Sequence, residues 1–153
     1  AAGQKVMDKK PPFLASVREL ARCQQAFERY SAAHIRSLGL TAPQFDVIAT
    51  LGNTPGMTPK ALSEQTLITK GTLTGVLDRL EAKRMIRRTR SKLDGRSQVV
   101  DLTPKGKAAF AKVFPAHLKH LAKAFAAFKP RDYQRIEAAL RDLRGALEQN
   151  EAD

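Results

Sequence analysis

Basic side chains are the chemistry this sequence offers in quantity. Between Thr58 and Lys107 stand twelve lysines and arginines against five carboxylates, within an excess of +12 for the 153-residue chain. The density peaks where Arg84, Arg87, Arg88, Arg90, Lys92 and Arg96 share a short stretch with one acid, Asp94. Shortly before it come Thr69, Lys70, Thr72, Thr74 and Arg79. Cations neutralise phosphates, and hydroxyls hydrogen-bond to phosphate or base edges, so this set suits a polyanion, either nucleic acid or an anionic membrane surface. A merely solvated hairpin is the plain alternative, but solvated faces ordinarily mix their signs.

Other chemistry is thinly represented. No nucleophile stands at motif spacing with an acid and a base, and no glycine loop has phosphate-cradling spacing, so the sequence does not read as an enzyme. The single cysteine, Cys23, excludes an intrachain disulfide framework and leaves one thiol as a redox candidate. His117 and His120 are one helical turn apart and could join His34 or a carboxylate on a metal, but nothing at ligand spacing completes such a set, so no metal and no cofactor are expected. No apolar run is long enough to span a bilayer, the first residues lack a signal-peptide core, and the bases do not lie on an amphipathic helix. A soluble, cytoplasmic chain with no membrane partner is the expectation. With 42 % hydrophobic residues it is long enough for one domain with a true core.

The elements that must position these residues can be read in order. Residues 1–12 have no periodicity and end in a Pro pair, as in a flexible arm in which Met7 could be the native start. Phe13, Val17, Leu20, Phe27, Ile35 and Leu38 stripe a long helix ended by Gly39. Thr41 and Gln44 have capping-box spacing ahead of Phe45, Ile48 and Leu51. Thr58-Pro59 starts a third helix, Leu67-Ile68 turns, and the Thr69 hydroxyl is placed to cap a fourth. In that helix Leu73, Val76, Leu77 and Leu80 make a narrow inward face, and Gly71, Thr72, Thr74, Gly75, Asp78 and Arg79 lie outward. Met85 to Ser91 and Ser97 to Leu102 are strand-like runs about an Asp94-Gly95 turn signal. Thr103-Pro104 opens a long helix to about Phe128 with a kink expected at Pro115, and a last helix runs from about Pro130 to Gln149.

A helix pair with a tight turn followed by a basic hairpin is a winged helix-turn-helix. The expected fold is therefore mainly α with a small β-hairpin wing. Its second helix fits a major groove ~12 Å wide, and the hairpin reaches the neighbouring backbone or minor groove. Double-stranded DNA becomes the expected partner.

The segments LGLTAPQFDVI (38–48), MTPKALSEQTLITKGTLTGVLDRLEAKRMI (57–86) and RRTRSKLDGRSQVVDLTPKG (87–106) resemble the MarR (multiple antibiotic resistance regulator) family of bacterial transcription factors. The resemblance spans about residues 13–147, and LDRLE (77–81), DGRS (94–97) and LTPKG (102–106) are its most specific elements. It implies a homodimer on a palindromic operator, with residues 13–40 and 107–153 as dimerisation helices around a DNA-binding region at 41–106. It also implies a wing arginine at Arg96 entering the minor groove, Asp94 steadying it, and Thr69, Lys70, Thr72 and Thr74 on the recognition face. Arg84, Arg88, Arg90 and Lys92 complete the expected contacts, although Arg87, Arg88 and Arg90 cannot all face one way on a strand. Arg79 could touch DNA or pair with Asp78 or Glu81.

Two positions depart from the family's commonest pattern. Gly75 stands where many members carry arginine, which removes a bidentate guanine contact. Arg84 stands where glycine usually precedes the wing, and glycine is better suited to a left-handed helix end. The family also implies regulation, as a repressor released by a small aromatic or phenolic effector or by an oxidative cue. Gln24, Ser31 and His34 interrupt or edge the apolar stripe of the first helix. Two readings stay open for them: lining of an effector pocket, or hydrogen bonding across an interface. A nonspecific architectural DNA binder without an effector is the rival function, and it would bind random and operator DNA alike.

Overall fold

The computed structural model describes residues 9–151, so the first part of the expected N-terminal arm and Met7 lie outside the described residues. Six helices and one hairpin follow in the order α1 (Leu14–Ser37), α2 (Ala42–Leu51), α3 (Pro59–Thr66), α4 (Lys70–Ala82), β1 (Ile86–Arg90), β2 (Gln98–Leu102), α5 (Pro104–Phe125) and α6 (Pro130–Gln149). The chain divides into two compact units after His117, within α5.

Local sequence explains most of the boundaries. Gly39, at φ +85°, ends α1 in a paired C-terminal motif: its N–H donates to the Arg36 carbonyl and that of Leu40 to the Ile35 carbonyl. Ile35 and Leu40, the two residues this motif joins, are both buried. Thr41 and Gln44 form the expected reciprocal capping box of α2. The Thr58 hydroxyl caps α3 through the Ala61 N–H, and that of Thr103 caps α5 through the Gly106 N–H. In α6, the Asp132 carboxylate accepts from the Lys129 N–H. The expected kink at Pro115 does not interrupt α5, which continues as helix to Phe125.

The core of the first unit lies between α2, α3, α4 and the root of the hairpin. Val47, Ile48, Leu51, Leu62, Leu80, Ile86 and Val100 are among its most enclosed side chains, and the four residues of the expected inward face of α4 are all buried. Burying each such side chain stabilises by about 1.5–3 kcal/mol. The strands pair antiparallel with Arg88 opposite Val100 and Arg87 opposite Asp101. Val100 also exchanges both backbone hydrogen bonds with Met57, at 2.8 and 2.9 Å, which fastens the wing root to the loop between α2 and α3. Gly106 completes the attachment. A Cβ there would sit 1.9 Å from the Met85 carbonyl oxygen, so only glycine lets α5 approach the start of the wing this closely.

The apolar stripes of α1 and α6 are largely uncovered in the single chain. Phe13, Val17, Leu20 and Phe27 are exposed on α1, where Ile35 alone is buried; α6 has no buried residue and exposes Ile136, Leu140, Leu143 and Leu147. Neither stripe finds its burial within its own unit, which is the pattern of helices awaiting a partner surface.

Candidate nucleic-acid interface

The recognition-helix candidates project from the N-terminal half of α4. Thr69, Lys70, Gly71, Thr72 and Thr74 are exposed because the inward positions of the helix are taken by Leu73, Val76 and Leu77. The Thr69 hydroxyl does not cap the helix as expected; it donates to Thr72 Oγ1 at 3.1 Å. The Thr74 hydroxyl donates to the Lys70 carbonyl at 3.2 Å, which holds its rotamer while leaving lone pairs for an external donor. The first-turn N–H groups and the positive end of the helix dipole add to the attraction for phosphate. A Cβ at Gly71 or Gly75 would meet nothing, so a backbone or base edge can come close there.

The exit of α4 is built around Arg84, which adopts φ +60°. The Arg84 N–H donates to the Glu81 carbonyl and the Met85 N–H to the Leu80 carbonyl, the same terminator that Gly39 makes on α1 but with a side chain in the left-handed position. The Thr103 hydroxyl donates to the Arg84 carbonyl at 2.6 Å and the Lys105 ammonium to the Lys83 carbonyl at 2.9 Å, so the last turn is capped from α5. Arg84 itself is exposed.

Strand alternation sorts the arginines of β1. Arg87 lies on one face, where its Nε donates to both Asp101 carboxylate oxygens at 3.2 Å. Arg88 and Arg90 share the face of buried Ile86. Arg88, expected as a DNA contact, is instead committed within the chain. Its Nη2 donates to Asp78 Oδ1 at 2.7 Å and to Glu81 Oε1 at 3.1 Å, and its Nε to Glu81 Oε2 at 3.1 Å. These hydrogen bonds hold the Glu81 carboxyl below the ordinary carboxylate range and push the Arg88 guanidinium further up. Asp78 and Glu81 therefore pair with Arg88 and not with Arg79, which is exposed and makes no ion pair among the described residues. Arg90, Lys92 and Arg96 likewise stand exposed without an ion pair there.

The wing loop is closed by Asp94. Its Oδ1 accepts from the Arg96 N–H at 3.0 Å, its Oδ2 accepts from the Ser97 hydroxyl, and its carbonyl accepts from the Ser97 N–H. Among the described residues the contact of Asp94 with Arg96 is to its backbone N–H, where the resemblance implies an acid steadying that arginine.

The effector candidates separate. Ser31 and His34 meet buried His117 of α5: Ser31 Oγ lies 3.1 Å from His117 Nε2, and the two imidazole Nδ1 atoms are 2.9 Å apart. The edge of Phe45 packs on the His117 ring. Gln24 is elsewhere, donating to Glu28 on an exposed face, and Cys23 is a free, exposed thiol. Among the described residues no group of three or more His, Cys, Asp or Glu is placed to hold a metal ion, and no helix is long and apolar enough to cross a membrane. Sequence reasoning missed the joint role of Asp78 and Glu81. Their i, i+3 spacing put them on one face of α4, but nothing local showed that the chain reverses at Arg84 and returns Arg88 to that face.

Two compact helices with a tight turn, a grooved-DNA-sized helix free on its polar side, and a basic hairpin beside it define a winged helix-turn-helix DNA-binding protein. The sequence model described as MarR family matches residues 38–97. The chain is 33% identical over 93 residues to the transcriptional regulator HosA of Escherichia coli, covering 60% of this chain and 69% of that protein. Its fold matches that of AbsC, a MarR family transcriptional regulator from Streptomyces coelicolor, with a TM-score of 0.83 at 21% identity over 93% of this chain and 98% of the other. It also matches that of Bordetella bronchiseptica BpsR, solved in a study of regulation of its DNA binding by 6-hydroxynicotinic acid, with a TM-score of 0.78 at 24% identity over 89% and 97% of the two chains. The chain belongs to the MarR family of DNA-binding transcriptional regulators.

Proposed function

We propose that this protein is a cytoplasmic homodimeric repressor that recognises a palindromic operator with α4 and brackets it with the wing. The observation that carries this reading is one set of exposed groups on adjoining elements: Lys70, Thr72 and Arg79 on α4, and Arg90, Lys92 and Arg96 on the wing, whose cations make no ion pair among the described residues. Lys70, Arg84, Arg90, Lys92 and Arg96 supply phosphate and minor-groove contacts. Thr69, Thr72 and Thr74 supply groove hydrogen bonds, and Asp94 aims Arg96. With Gly75 in place of an arginine, specificity leans on threonine contacts, close backbone approach and DNA shape.

The dimer reading rests on the uncovered stripes of α1 and α6, which fits the expected division into dimerisation helices at 13–40 and 107–153 around a DNA-binding region at 41–106. For the effector, a small aromatic acid is the favoured class, because BpsR, of the same fold, is described with 6-hydroxynicotinic acid. Ser31, His34 and His117 offer it polar groups if it displaces the hydrogen bonds they make with one another.

Selection from a randomised duplex library followed by competition binding tests the function. A regulator prefers its selected duplex to random DNA by ~10³-fold or more, in a sequence with two-fold symmetry. Equal affinity for both establishes the architectural alternative. Repeating the binding with 6-hydroxynicotinic acid tests the effector class, with release of the selected duplex as the expected result.

A further inference from the structure

We infer that Arg88 is a positioning residue for DNA recognition: by gripping Asp78 and Glu81 it locks the wing to the recognition helix and sets the angle between the two DNA-contacting elements. The inference rests on the DNA-binding reading above and specifies how the two halves of the interface are kept in register.

The wing is a two-stranded ribbon, and such ribbons twist readily unless something outside them holds them. Its root is anchored by buried Ile86, Val100 and Leu102. Beyond the root, Arg88 makes the only side-chain hydrogen bonds joining the hairpin to α4 among the described residues. At ~3.3 Å per residue, the two strand residues beyond Arg88 reach ~7 Å, so a ~10° rotation at this point moves Arg90 and the start of the wing loop by ~1 Å, enough to weaken a hydrogen bond there.

The chemistry of the pair fits a clamp. The Arg88 side chain is 21% exposed, against 59% and 44% for those of Asp78 and Glu81, so the basic residue is the more covered member and is poorly placed to meet a phosphate. Its planar fork engages two carboxylates one helical turn apart, which a lysine ammonium cannot copy. The same contact offsets one of the two negative charges on the helix that would otherwise repel DNA.

The test compares full-length variants on two probes, the duplex that the wild-type protein enriches from a randomised library and a random duplex, at several salt concentrations. Arg88→Lys keeps the charge and loses the fork. It is expected to keep random-duplex affinity and the salt slope while its preference for the enriched duplex falls about tenfold or more, an effect comparable with one mismatched base pair. Asp78→Asn combined with Glu81→Gln should lose the same preference, and adding Arg88→Lys should lose no more. Full preference in Arg88→Lys overturns the inference. So does a salt slope lowered by about one contact in Arg88→Gln, which would make Arg88 a phosphate ligand. A variant that is only less stable binds both probes in unchanged ratio, and that result also overturns it. If the wild-type protein enriches no sequence, the DNA-recognition reading fails first and this inference falls with it.

Discussion

His34 and His117 face each other through their Nδ1 atoms at 2.9 Å, across 83 residues of sequence. Only one of two nitrogens that close can carry the proton, so one ring donates and the other accepts. The tautomer is coupled onward: if neutral His117 donates through Nδ1, its Nε2 accepts from the Ser31 hydroxyl, and if it accepts, Nε2–H donates to Ser31. A half-buried polar seam between α1 and α5 is thereby hydrogen-bonded within one chain, and no side-chain N or O atom that is fully buried among the described residues lacks a partner.

Replacing His117 by Leu keeps the volume but removes both hydrogen bonds to α1. The expected loss is about 1–3 kcal/mol, because Ser31 and His34 each lose a part-buried hydrogen bond to His117. Urea unfolding followed by circular dichroism measures it, and stability equal to wild type would show that the seam contributes only packing.

Arg84 at φ +60° carries the strain of a side chain in the left-handed region. Arg84→Gly removes it, partly offset by the greater freedom of glycine in the unfolded chain, so a net gain of about 0.5–1 kcal/mol and a higher Tm are expected. DNA affinity should fall slightly at low salt as one exposed cation is lost. A lower Tm would mean that the arginine side chain stabilises this turn by more than its backbone costs.

Arg96 and Arg87 make a matched pair for salt titration. Arg96→Ala should lower the slope of log affinity against log salt by about 0.9, the value of one phosphate contact. Arg87 alternates with Arg88 and Arg90 on β1 and is held by Asp101, so Arg87→Ala should leave the slope unchanged. Equal slopes for the two variants would remove the assigned role of Arg96.

Asp46 on α2 is exposed as a residue, yet partial desolvation of its carboxyl by the surrounding chain pushes that group above the ordinary value. The folded state then binds the proton more tightly than the unfolded chain, so this group stabilises the protonated fold, and stability falls as pH rises from the ordinary aspartate value through the raised one. Asp46→Asn has no such penalty. Its Tm should exceed that of wild type at pH 7 and the difference should shrink as the pH approaches 4. A difference independent of pH would assign it to packing instead of charge.

What the amino-acid order determined unaided is the set of interactions closed within one helical turn, together with the stripes that repeat along a helix. Thr41 with Gln44, Thr58 ahead of Pro59, Thr103 ahead of Pro104 and the inward leucines of α4 all behave in the fold as their spacing requires, because both partners are a few residues apart and few alternatives compete. The position of the hairpin and of both terminal helices follows from the same local signals. Tertiary structure alone decided how the similar arginines of the wing differ. Arg87, Arg88 and Arg90 are equivalent as residue types, yet strand register and the reversal at Arg84 give the first to Asp101, the second to α4 and leave the third free. It likewise drew Ser31 and His34 to His117 while leaving Gln24 on the surface. The Thr69 hydroxyl is the local exception: it turns to Thr72 in place of the cap its spacing allowed. Charge is a property of composition, but which charge is available to DNA depends on what else the folded chain brings within 3 to 4 Å of it.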